Sequence, residues 1–304
     1  MPFYALATLP LIKRLLTIAK QVWFADDGTA AGSILSLCSW WDALNTLGPG
    51  YGYFPNTSKT WLLVKHPHLS QAQSVFANTQ VSLTCDGRPH LGAPLGTRDY
   101  VDGYMKDKVK TWCTELELLS TIAKTQPHAA YAAFTHGLSS KWTFLTRTVP
   151  SIGHILLPLE KVIRSTFIPS FTNGLPPNDQ LRELLSLPAR LGGLGLSNPV
   201  TMANFEFAAS QRVTNSLKNL VIQQEITYPY EAVADQILAV SEIHHMRRDQ
   251  ASQAAEHLQP TLSPDLQRAM ILAKERGHLV GKQLSQLKSL TFAFTKVLSQ
   301  MPLP

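Results

Sequence analysis

The chain has 304 residues, 44% of them apolar and 16% charged, a globular composition that excludes a disordered chain. Its net charge of +6 is compatible with a polyanionic partner but is thinly spread over so long a chain. No uninterrupted apolar run reaches the roughly 18 residues of a spanning helix, and the apolar Met1–Ile18 stretch carries Lys13 and Arg14 in its middle, unlike a secretory leader. These features predict an intracellular protein, cytoplasmic or nuclear, with no membrane partner. Cys38, Cys85 and Cys113 are widely separated and fit packed, reduced thiols.

In chain order, Met1–Ile18 has a helical pattern, and Lys20–Phe24 is a short β-rich run leading to Asp26-Asp27-Gly28. Two neighbouring carboxylates at a turn repel each other, and a hard cation between them relieves the repulsion. An ordinary solvated Asp-Gly turn accounts for the same three residues. From Ser33, a predicted N-cap, apolar Ile34, Leu37, Cys38, Trp41, Leu44 and Leu47 recur at helical spacing until Gly48-Pro49-Gly50. Lys59–Lys65 reads as a strand bracketed by two lysines, and Ser70–Phe76 as a short helix. Val81–Thr84 and Arg88–Leu91 flank Asp86-Gly87, which predicts a short hairpin there.

After Thr97 the pattern is helical. Val101, Met105, Val109, Trp112, Leu116, Leu119 and Ala123 form one stripe, with Lys106, Lys108 and Lys110 off it. Further helices are expected near Pro127–Leu138, Lys141–Arg147 and Ile155–Phe167, and Thr172–Asn178 reads as a linker and domain boundary. Ser263-Pro264-Asp265 opens a last helix with an N-cap, an N1 proline and a first-turn acid. Its expected stripe runs from Leu266 and Met270 through Gly277 to Leu298.

Four stretches in order resemble parts of one family. Phe24-Ala25-Asp26-Asp27 is similar to the palm signature of reverse transcriptases, in which an aromatic and a small residue precede two aspartates on a β-hairpin. Asn56-Thr57-Ser58-Lys59-Thr60 before an apolar strand resembles the next palm motif, whose lysine lies near the incoming nucleotide. His90-Leu91-Gly92 resembles the primer-grip region. Leu187–Leu196 resembles the LPxRxGGLG run that follows the polymerase core in many retroelement reading frames. The resemblance covers roughly Met1–Pro199.

It implies an α+β, predominantly α fold: a partial palm of short antiparallel strands with helices over 1–97, a helical thumb or connection-like region over 98–173, and a helical C-terminal extension over 174–304. It further implies two-metal nucleotidyl transfer with Mg²⁺ or Mn²⁺, an RNA or DNA template–primer and a dNTP as partners. Asp26 is the expected metal ligand, Asp27 a weaker partner, and Lys59 the group that neutralises or protonates the leaving phosphates. Phe24 and Trp23 are expected to be buried supports. Lys106, Lys108, Lys110 and Lys124 are the candidates for duplex-backbone contacts, and equally the solvated face of an amphipathic helix.

The chain also departs from the family. Met1–Trp23 holds no Asp or Glu, so the separate metal-binding aspartate on an earlier strand and the glycine motif are missing. The expectation is a fragment that starts within the palm and is inactive alone. Two other readings stand beside it: a non-catalytic nucleic-acid-binding remnant, and a helical interaction protein whose Asp26 and Asp27 are not on a hairpin tip. Gly192-Gly193-Leu194-Gly195 lacks the spacing of a dinucleotide fingerprint and reads as a tight turn. His66/His68 and Glu242/His245 lack a matching pair for zinc.

Overall fold

A computed structural model describes residues 2–172, 174, 176–225, 227 and 229–276. The described chain is mostly helical with a few short strands, an α+β arrangement dominated by helices. It divides into two compact units. The first takes the chain up to Lys108 together with Arg147–Pro150 and Phe207–Val240. The second takes Val109–Thr146, Ser151–Glu206 and the described residues from Ser241.

In the first unit, helix α1 (Pro2–Leu15) precedes a hairpin of β1 (Lys20–Phe24) and β2 (Asp27–Ala31), and α2 (Ile34–Leu47) follows. Ser33 caps α2 by accepting a hydrogen bond from the Ser36 amide, as its sequence position predicts. Leu11 and Leu15 of α1 pack with Trp40, Trp41 and Leu44 of α2 and with Phe76 and Val81 to make the core beneath the hairpin. Strand β3 (Trp61–Leu63), helix α3 (Leu69–Val75) and strand β4 (Ser82–Thr84) form a crossover unit in which the two strands pair in parallel. Strands β5 (Gly87–His90) and β6 (Ala93–Gly96) make a second hairpin.

Two expectations change here. The strands form three separate pairs, one of them parallel, because α3 carries the chain back to start β4 beside the start of β3. The Asp86-Gly87 hairpin is not formed; β4 goes to β3, and Gly87 instead opens β5. Asp86 O accepts from the Thr97 amide at 2.7 Å. A Cβ on Gly87 would sit 2.4 Å from the Tyr100 ring, so the glycine there serves close packing. The turn lies at Leu91-Gly92, both with positive φ (46° and 83°), the backbone of a two-residue hairpin loop.

Helix α4 (Arg98–Ala123) buries Met105, Val109, Trp112, Leu116 and Ala123 of the stripe its spacing predicts, while Val101 and Leu119 are half-buried. In the second unit come α5 (Pro127–Ala133), α6 (Ser139–Thr148), α7 (Leu157–Val162), α8 (Ile168–Thr172) and α9 (Asp179–Ser186). Phe134 and Phe167 stack there with centroids 4.7 Å apart. Helices α10 (Pro199–Gln223) and α11 (Tyr230–Leu258) contribute residues to both units. A helix over 264–276 follows, and Met270 on it packs with Leu187, Leu191, Ala255 and Leu258. The expected stripe from Gly277 onward lies outside the described residues.

The boundary expected at 173 does not separate the units, since the segments on either side of it pack in the second one. Glu160 of α7 pairs with Arg182 of α9, and Arg164 donates to Pro177 O and pairs with Asp179. The Leu187–Leu196 run is a folded structural element. Gly192 and Gly195 take positive φ, and a Cβ on Gly193 would lie 2.0 Å from Leu187 O. Leu194 and Leu196 both donate their amides to Leu185 O. Among the described residues no helix is long and apolar enough to cross a membrane.

Candidate functional site

The β1–β2 hairpin closes with Phe24 opposite Asp27, leaving Ala25-Asp26 as a two-residue loop. Asp26 therefore sits in the loop and Asp27 on the first position of β2, both exposed at the tip. Ala25 takes φ 55°, a left-handed conformation that costs an L-residue roughly 1 kcal/mol. Ala25→Gly is accordingly expected to raise stability by about 0.5 kcal/mol, offset in part by the greater freedom of glycine in the unfolded chain. A urea midpoint shifted downward by that change would show that the loop is not strained.

The loop is braced from one side. Tyr53 donates its hydroxyl to the Asp26 carbonyl at 3.0 Å, and its ring meets Trp23 edge-on at 5.2 Å. The Trp23 ring lies over Gly28, its partner across the hairpin, where a Cβ would come within 3.0 Å of the indole. Gly28 thus supports a cross-strand aromatic and is not a turn residue. Among the described residues neither the Asp26 nor the Asp27 carboxylate has a hydrogen-bond or ion-pair partner.

Phe24, expected to be a buried support, is 67% exposed, and Trp23 is half-buried. The alternation of β1 explains both. Gln21 and Trp23 face the core, which leaves Lys20, Val22 and Phe24 on the outer side. Gln21, absent from the expected site, is a buried hub. Its side-chain Oε1 accepts both indole N–H groups, from Trp23 at 3.1 Å and Trp40 at 3.0 Å, and its Nε2 donates to Ile12 O at 2.7 Å.

The outer edge of β1 is closed by a side chain. Gln21 lies at a register position whose backbone groups point away from β2. Gln224 supplies both missing partners, accepting from the Gln21 amide at 2.7 Å and donating to its carbonyl at 3.0 Å. A side-chain carboxamide thus stands where a neighbouring strand's peptide group would. Tyr53 and Gln224 could not be found from spacing; only the polar Gln21 beside Trp23 on the inward face of β1 hints at the hub.

The remaining candidates lie elsewhere. Lys59 ends a single 3₁₀ turn (Thr57–Lys59) just before β3, exposed and on a different strand pair from the aspartates. Nothing among the described residues bonds it to either carboxylate. Lys106 and Lys110 fall within about 40° of one another around the α4 axis, but Asp99 and Glu117 share that flank, so its charge is mixed, and Lys124 lies just past the helix end. Lys108 lies on the opposite flank with its ammonium 5.3 Å from the Tyr104 ring. The four lysines therefore do not form one cationic stripe. His90 of β5 approaches Thr29 of β2 at 3.4 Å, bringing the two hairpins together.

Among the described residues no three His, Cys, Asp or Glu side chains group as metal ligands. The cysteines are unpaired, and burial pushes the Cys38 and Cys113 thiols above their ordinary range, which makes them poor nucleophiles. The sequence matches no protein-family model, and neither a curated protein nor a solved structure is detectably similar to it.

Proposed function

We propose that this chain carries the catalytic hairpin of a reverse-transcriptase palm and belongs to a retroelement polymerase, with the helices after 97 in the roles of thumb and C-terminal extension. The observation that supports it is the two-residue loop. A strained Ala25 and the Tyr53 bond to the Asp26 carbonyl fix the backbone of a loop that leaves two unpartnered carboxylates exposed at its tip. Asp26 and Asp27 offer the hard oxygen donors that Mg²⁺ prefers. Bound there, the ion would lend charge to phosphoryl transfer. The donor set fits one end of such a site only, since no third ligand stands near it among the described residues. No reaction step is assigned to this chain by itself, and primer extension with Mg²⁺ or Mn²⁺ should yield no product above background.

The direct test is a Mn²⁺ titration followed by NMR in the presence of a template–primer duplex. Paramagnetic broadening is expected at the amides of Ala25–Gly28 and should vanish in Asp26→Asn. Broadening spread evenly over exposed acids, or none at the tip, would remove the basis for the reading.

A further inference from the structure

We propose that the exposed face of β3 binds single-stranded nucleic acid, with Trp61 and Arg88 stacking on a base and Lys59 and Lys65 holding the phosphates. This deepens the reading above by giving its nucleic-acid partner a surface. It rests on that reading only for the partner's class, because the aspartates play no part in it.

The alternation of β3 is the starting point. The pairing with β4 extends past the strand ends, from Thr60 O accepting the Ser82 amide to the Val64 amide donating to Thr84 O. Residues 60, 62 and 64 turn inward, Val64 fully, and Trp61, Leu63 and Lys65 share the outer face, with exposed Lys59 ending the 3₁₀ turn just before it. Trp61 is 39% and Leu63 37% exposed, and both lysines are exposed. Each of these large apolar side chains keeps more than a third of its surface in water.

The Arg88 guanidinium lies 3.9 Å from the centre of the Trp61 ring, a close cation–π stack reaching across from β5. It holds the indole in place and adds a third positive charge. Along the chain there is little to cancel these charges: from 43 to 85 the sequence has no Asp or Glu, and Asp86 is the one acid before Asp99. Positive charge flanking an exposed aromatic is the combination that binds single strands. Phosphates are held by charge, and unpaired bases stack on the ring whatever their identity. A duplex keeps its bases stacked on each other and could use the lysines only.

The test is fluorescence anisotropy of the whole chain with a labelled single-stranded oligonucleotide of about 12 nucleotides, in EDTA, across about 50 to 200 mM salt. Trp61→Ala is expected to weaken binding roughly 5- to 100-fold with the salt slope retained. Lys59→Ala with Lys65→Ala is expected to lower that slope by about 1.4. Trp61→Phe should keep part of the affinity, and circular dichroism checks that each variant folds. Because EDTA removes any metal from the hairpin, this surface can fail or stand independently of the Asp26 and Asp27 site. No binding by the parent, equal binding of duplex, or a Trp61→Ala affinity within about twofold of the parent overturns the proposal.

Discussion

Arg182→Ala is expected to destabilise the second unit by about 3–5 kcal/mol, the range found when one partner of a buried ion pair is removed. Arg182 of α9 is only 5% exposed. Its Nε and Nη2 donate to the two oxygens of Glu160 on α7 at 2.7 and 2.8 Å, and Nη1 donates to Leu196 O at 2.7 Å. Truncation leaves the Glu160 carboxylate buried without its cation and frees the carbonyl that fixes the Leu187–Leu196 turn. Glu160→Ala should cost a similar amount by stranding the guanidinium. Replacing both with apolar residues of similar volume, Arg182→Met with Glu160→Leu, should recover much of the loss. Urea denaturation of the singles and the double measures all three. If either single variant shifts stability by less than about 1 kcal/mol, the pair is solvated and the packing described for α7 and α9 is wrong.

Gln21→Leu is expected to destabilise the first unit by about 3 kcal/mol despite its nearly equal volume, because it strands three polar partners. Both indole N–H groups lose their acceptor, and Ile12 O loses its donor. Trp40 is buried, so water cannot replace the lost bond without opening the core. The effect reaches the candidate site, since Trp23 braces Tyr53 and Tyr53 holds the Asp26 carbonyl. Tryptophan fluorescence should shift to the red in the folded variant as the two indoles seek water. A change under about 1 kcal/mol with an unshifted spectrum would mean the hub contributes little.

The helices were largely legible because their signals are local. Ser33 caps α2 from its place before an apolar repeat, and α4 buries Met105, Val109, Trp112, Leu116 and Ala123 of its predicted stripe. The candidate hairpin was legible for the same reason, since a β-rich run before two aspartates and a glycine demands a turn. Even there the detail differed. The alternative of an ordinary Asp-Gly turn would put Gly28 in the loop, whereas the loop is Ala25-Asp26 and Gly28 lies under an indole. Phe24 followed hydrophobicity in the expectation and strand alternation in the structure. Position 21 has the inward place, so the polar residue is buried and the aromatic exposed.

By itself, the sequence determined where most of the helices lie and that two carboxylates sit at one hairpin tip. Each follows from side-chain period, capping and turn chemistry within a few residues. Tertiary structure decided which strand pairs with which, and so sent β4 to β3 in parallel and moved the second hairpin from Asp86-Gly87 to Leu91-Gly92. It also set Gln224 against β1, Arg182 on Glu160 and Arg88 on Trp61. Those partners lie from 22 to 203 residues apart, and their meeting depends on how packed elements share a core, for which no local pattern exists to be read.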